Sequence, residues 1–161
     1  MQIIIEADDL HPNPEVDCLG LAEKLCSKYP KLILNFFVPA AYMGQELYLN
    51  EPWCKRLRAL VNSGKVCLGV HSLYHTQEEF KYYDYKTAVD KIKLAESIFN
   101  ASGLSFAKVF RGSHWGICED TVKALIDLGY THLYSHKNYN HLTDFYKDKI
   151  KIVHYNFNLA D

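Results

Sequence analysis

Val66-Cys67-Leu68-Gly69-Val70-His71-Ser72-Leu73-Tyr74-His75 is the stretch on which the fold turns. An apolar run passes without a break into two histidines. Near-continuous apolarity of this length reads as a strand covered on both faces, as in a parallel sheet. Ile3 to Ile5, Leu32 to Val38 and Val109-Phe110 read the same way, and two weaker runs follow around Leu133 to Ser135 and Ile150 to Tyr155. Between them lie helical patterns. Val16, Leu19, Ala22, Leu25 and Cys26 form one stripe, with Asn13 as its expected N-cap and Pro14 in the first turn. Trp53, Leu57, Leu60 and Val61 form a second, Ala88 to Phe99 a third, and Val122, Leu125 and Ile126 a fourth. Gly64, Gly103 and Gly129 follow the last three, where a left-handed C-terminal cap favours glycine.

This alternation predicts an α/β fold with a largely parallel sheet. A complete eight-stranded barrel takes about 250 residues. With 161 residues, an incomplete or shortened (β/α) barrel forming a single domain over 1–161 is the expectation.

Apolar residues make up 48% of the chain, enough to bury a real core. A formal net charge of −1 supplies no general field for nucleic acid or an anionic membrane. No stretch approaches the roughly 20 apolar residues of a membrane span. The opening Met1-Gln2-Ile3-Ile4-Ile5-Glu6 lacks the basic start of a signal peptide. Five cysteines, an odd number without a C-x-x-C pair, are expected to be buried, reduced thiols of a cytoplasmic protein.

Ligands of parallel α/β folds bind at the carboxyl ends of the strands, and the polar residues collect there. The first strand runs into Glu6-Ala7-Asp8-Asp9, the third into His71 and His75, and the fourth into Arg111-Gly112-Ser113-His114-Trp115. The last carries His154. Each piece has an ordinary explanation. The aspartates could cap a loop. Two of eight histidines could fall four apart by chance, although a helix would put them on one face. Arg111 could simply rest on Trp115. Their conjunction at matching strand ends favours a site. Two imidazoles and a carboxylate suit Zn²⁺ or a similar divalent ion, which acidifies a bound water and polarises a carbonyl. A second carboxylate can then act as general base and an opposite group as acid, roles for which Asp8 and His154 are placed in sequence.

At this point the chain resembles the polysaccharide deacetylases of the NodB homology type, carbohydrate esterase family 4. Ala7-Asp8-Asp9 is similar to the first motif of that family, and His71-Ser72-Leu73-Tyr74-His75 to the second, His-Ser/Thr-x-x-His. Phe110-Arg111-Gly112-Ser113-His114-Trp115 looks like a third motif, and His154 like the last. The resemblance covers positions 1 to about 155 and implies a distorted, incomplete barrel. It implies Asp8 as base, Asp9, His71 and His75 as metal ligands, Arg111 orienting Asp8, Trp115 walling the sugar pocket, and His154 as acid, preferred over His136. Glu6-Ala7 stands where the family has Thr-Phe, adding an acid. Gly112 and Ser113 replace prolines, so a looser turn is expected. His114 either touches substrate or fills that turn. The short tail after His154 leads us to expect that the last strand and helix of longer members are missing.

Tyr74, Tyr82, Tyr83 and Tyr85 form either a sugar-stacking rim or a packed surface loop, whereas His11, His132 and His141 read as ordinary surface histidines. The activity implied is removal of an acetyl group, N-acetyl ahead of O-acetyl, from an amino sugar or polysaccharide. The implied metal is zinc, with cobalt, nickel or manganese as alternatives. Two other readings stay open: a non-catalytic domain that keeps metal and glycan, and a metal amidohydrolase acting on another C–N bond. A two-metal phosphoesterase fits less well, because only one cluster of ligands is evident.

Overall fold

The computed structural model describes residues 3–136 and 146–154, excluding the side chains of Ile3, Ile4 and His154. Among the described residues, six strands form one parallel sheet: β1 (Ile3–Ala7), β2 (Leu32–Val38), β5 (Val66–Val70), β6 (Val109–Arg111), β7 (His132–Ser135) and β8 (Lys151–His154), in that spatial order. Four helices join them: α1 (Cys18–Lys28), α2 (Glu51–Asn62), α3 (Tyr85–Ala101) and α4 (Glu119–Asp127). Chain order and spatial order agree, so each strand is laid beside its predecessor and the sheet curls into a half-barrel with β1 and β8 as its ends.

The apolar runs become strands because one face of each is sealed by helices. Leu32, Leu34 and Phe36 of β2, and Val66, Leu68 and Val70 of β5, are all buried. Leu57, Ile92, Ile98, Val122 and Leu125 from the helices join them in one core. Removing each such side chain from water contributes about 1.5–3 kcal/mol. The glycines after α2, α3 and α4 (Gly64, Gly103, Gly129) have φ of 72°, 64° and 77°, the left-handed caps the sequence called for.

Register places the site. The pairs Ala7↔Phe36, Val38↔Val70, Val70↔Phe110 and Arg111↔Tyr134 bring the carboxyl ends of β1, β5 and β6 to one rim. The residues that follow these strands therefore meet although they are about 100 positions apart in the chain.

Four features differ from the sequence reading. Helix α1 starts at Cys18, capped by the Asp17 carboxylate accepting from Gly20 N; Asn13 instead accepts from Glu15 N in the preceding turn. A small hairpin, β3 (Ala41–Tyr42) and β4 (Gln45–Glu46), turns through Met43 and Gly44. The segment 71–84 is an irregular loop, so no helical face aligns His71 with His75. Cys26 and Cys54 are buried as expected, but Cys18 and Cys67 are exposed. No helix among the described residues is long and apolar enough to cross a membrane.

Candidate metal centre

The turn that follows β1 puts Asp9 at φ 60°, a left-handed conformation that aims its carboxylate across the rim. The loop after β5 does the same for its ligand: Ser72 and His75 have φ of 59° and 62°. Backbone turns, rather than helical spacing, bring the two imidazoles to the carboxylate. Asp9 Oδ1 lies 3.2 Å from His71 Nε2 and 2.7 Å from His75 Nε2. The three donor atoms all fall within 4.8 Å of one another.

The donor set fits a divalent cation. His71 is buried, and its Nδ1 lies 2.9 Å from the backbone oxygen of Arg111. A carbonyl only accepts, so Nδ1 carries the proton; Nε2, 3.2 Å from Asp9 Oδ1, donates to that carboxylate when the ring is doubly protonated and offers its lone pair when a cation lies between them. Orientation of a ligating histidine through its other nitrogen is the usual support for a metal site. Burial works against ionisation of Asp9, but hydrogen bonds and charge from both histidines outweigh it and hold the carboxyl well below the usual carboxylate range. The hydrogen bond that His75 Nε2 donates to Asp9, opposed by burial, raises the pKa of His75.

Beside this triad sits Arg111, only 2% exposed. One guanidinium nitrogen donates to Asp8 Oδ1 at 2.5 Å and the other to Glu6 Oε2 at 3.2 Å. Its Cζ lies 4.0 Å from the Phe37 ring centre, 5.0 Å from that of Tyr134 and 5.2 Å from that of Trp115. Aromatic faces on several sides and two carboxylates at the tip fix the cation in place.

The turn from Gly112 to Gly116 is firmly tied. Ser113 N donates to Ser72 Oγ at 2.7 Å, and Ser113 Oγ donates to the Thr76 carbonyl at 2.7 Å. A Cβ on Gly112 would come within 2.2 Å of the Gly116 oxygen, and one on Gly116 within 2.4 Å of Glu78 Cα. The expectation of a looser turn is corrected: serine hydrogen bonds and glycine close packing replace what proline would supply.

The remaining candidates divide. His114 is exposed, with its ring 5.3 Å from that of His75, so it borders the candidate metal site. Trp115 also approaches His136, with ring centres 6.0 Å apart. Tyr74 packs against the core and carries the Lys91 ammonium 5.0 Å from its ring centre. Tyr42 lies beside the triad, its ring 5.5 Å from that of His75 and stacked on His11 at 3.7 Å. These two rings line a cavity of about 280 Å³ together with Asn13, Gln45 and Asn50. Sequence reasoning set His11 aside as a surface residue and passed over Tyr42, because nothing local signals a stack built by the hairpin. Tyr82 is exposed, whereas Tyr83 packs edge-on against Phe80 and Tyr85 donates to Asp127. The backbone of His154 ends β8 opposite Ser135, but its side chain, like the whole of His141, lies outside the described residues.

No protein-family model and no curated protein matches the sequence. Solved structures do match. A family 4 carbohydrate esterase from Streptomyces lividans, in complex with acetate, aligns over 81% of this chain and 60% of its own at 17% identity, with a TM-score of 0.59. A Streptococcus pyogenes deacetylase with acetate aligns over 79% of this chain and 53% of its own at 11% identity, also with a TM-score of 0.59. A family 4 pseudoenzyme from Bacillus anthracis aligns over 93% and 54% at 13% identity and the same TM-score. The chain thus spans between half and two thirds of the length of these structures. Its six parallel strands in sequential order, curled into an incomplete barrel, are the fold of the family 4 carbohydrate esterases, the NodB-like polysaccharide deacetylases.

Proposed function

We propose that this chain is a metal-dependent hydrolase that removes an acetyl group from an amino sugar or polysaccharide, an N-acetyl group ahead of an O-acetyl ester. The observation that carries the reading is the convergence of Asp9, His71 and His75 within 4.8 Å, next to an aspartate held by a buried arginine. A divalent cation, zinc first, would be held by those three side chains and would supply Lewis-acid chemistry, acidifying a water and polarising the acyl oxygen.

The protein's own groups supply the proton steps. Asp8 is the general base, removing a proton from the water that attacks the acyl carbon. Arg111 fixes that carboxylate at 2.5 Å, so little reorientation is needed as the proton moves. Glu6 shares the guanidinium and keeps it from swinging wholly onto Asp8. The departing nitrogen takes its proton from His154, preferred for its place at the end of the last strand, or from His136 beside Trp115. His114 and the Tyr42–His11 stack offer flat faces beside the triad, and Trp115 one beside Arg111, the surfaces on which sugar rings pack.

The same fold carries a pseudoenzyme, so acetate release decides activity and metal occupancy alone does not. The test is acetate release from acetylated chito-oligosaccharides and, for the ester, acetylated xylan, with formate release from formamides for the other C–N bonds. Release from the amino sugars alone supports the reading. Release only from the ester or the formamides moves the substrate, and metal binding with no turnover on any of them favours a binding domain.

A further inference from the structure

Glu79 is the one carboxylate in the 71–84 loop that is buried, at 5% exposure, and its Oε2 accepts from the backbone N–H groups of both Tyr74 and His75 at 3.0 Å. The amides of Leu73 and Thr76 add to the stabilisation of the anion. Glu79 thus sits inside the turn and gathers the backbone around the second histidine.

The need for such an anchor follows from the conformation. His75 stands at φ 62° and Ser72 at φ 59°, outside helix and strand. A left-handed non-glycine residue is strained and persists only when its surroundings fix it. Two other elements grip the same loop. From the hairpin, Ala41 N and Met43 N donate to the carbonyls of Leu73 and Tyr74 at 2.7 and 3.1 Å. From the 112–116 turn, Ser113 bonds Ser72 and Thr76. These hold the loop's carbonyls and its flanks, while Glu79 alone among these holds the N–H of the ligand residue itself. Burial pushes the Glu79 carboxyl up, so keeping an acid there has a cost that an apolar residue of the same size would avoid.

We propose that Glu79 is a positioning residue of the metal centre: through its hydrogen bonds to Tyr74 N and His75 N it pre-sets the left-handed turn that points His75 at Asp9. The inference rests on the metal reading above and extends it to a residue that touches neither cation nor substrate.

The test compares zinc and cobalt affinities of the wild type, Glu79→Gln and Glu79→Met, by competition with a chromophoric chelator, alongside thermal unfolding of each metal-free protein. Methionine keeps the length and volume but loses the acceptor; glutamine keeps an acceptor oxygen. Loss of a group supporting a ligand typically costs 10–100-fold in metal affinity. We expect Glu79→Met to lose at least tenfold, with Glu79→Gln nearer the wild type and the cobalt absorption bands altered in Glu79→Met. A merely structural role would lower the metal-free melting temperature and leave the affinity of the folded protein unchanged. Metal affinity of Glu79→Met within threefold of the wild type overturns the proposal. Should Glu79→Met fail to fold, amide exchange in the metal-free wild type decides: Tyr74 and His75 amides are protected, and exchange at the rate of an open loop sinks the idea. A wild type that binds neither metal removes the metal reading itself, a result distinct from equal binding by wild type and variant.

Discussion

Arg111 serves His71 and Asp8 at once: its backbone oxygen receives the His71 Nδ1 proton at 2.9 Å while its guanidinium holds the Asp8 carboxylate at 2.5 Å. One residue at the end of β6 therefore ties a candidate metal ligand to the candidate base, and the two halves of the site share one support.

Replacing that support has a predictable cost. Arg111→Ala leaves Glu6 and Asp8 facing each other without the cation between them, each about one third exposed. Breaking such a partly buried pair is expected to destabilise by about 3 kcal/mol, read by urea denaturation, with acetate release abolished. Arg111→Lys keeps the charge but loses the two-pronged geometry, so it recovers part of the stability and little of the activity. Wild-type stability in Arg111→Ala would contradict this account.

Metal retention should depend on pH with a definite sign. A cation binds neutral imidazole, and the Asp9 hydrogen bond raises the His75 pKa, so protons compete more strongly than for a free histidine. Asp9 itself stays ionised, because its carboxyl is held low. Affinity is therefore full at alkaline pH and begins to fall above about pH 6.5, the ordinary histidine value. Zinc competition measured stepwise from alkaline to mildly acidic pH checks it, and a flat profile would count against the assignment of His75 as a ligand.

Gly116 has no room for a methyl group, since its Cβ would meet the Glu78 backbone. Gly116→Ala should cost roughly 1–3 kcal/mol through forced backbone shifts and should weaken metal binding, because the 112–116 turn is bonded to the histidine loop. Gly64→Ala, which has open space but φ 72°, should lower stability without touching metal affinity.

Thiol reactivity separates the cysteines. In the native protein Cys18 and Cys67 should react promptly with a thiol reagent, Cys118 more slowly, and Cys26 and Cys54 only on unfolding. Burial raises the thiol pKa of Cys26 and Cys54, which slows them further. Prompt labelling of Cys54 would mean that the α2 face of the core is open.

The sheet was legible because β2 and β5 are largely apolar runs and α2, α3 and α4 are followed by glycines, signals that local chemistry imposes. The three metal candidates and their neighbours Asp8 and Arg111 were legible because they lie at or soon after the carboxyl ends of strands, and the parallel register brings such positions to one rim. The shape of the histidine loop was not. A His-x-x-x-His spacing suits a helix equally well, and the positive φ of Ser72 and His75 stands in a loop bonded to the hairpin, the 112–116 turn and Glu79, none of which local spacing reveals. Glu79 itself is hidden in sequence beside Glu78, which pairs with Lys81 at the surface. The hairpin escaped notice because its strands are two residues each, too short for any alternation to register. With it went the Tyr42–His11 stack. The start of α1 was misread because both Asn13 and Asp17 can cap, and only the tertiary contact of Arg56 with Asp17 and Glu23 favours the later one.

The measurement that bears most directly on the central claim is the metal content of the purified protein, comparing wild type with His71→Ala and Asp8→Asn, with acetate release assayed in parallel. The account predicts near-stoichiometric divalent metal in the wild type and in Asp8→Asn, its loss in His71→Ala, and acetate release only in the wild type. A wild type that takes up no metal even when supplied with zinc, or a His71→Ala protein that keeps it, would contradict the account.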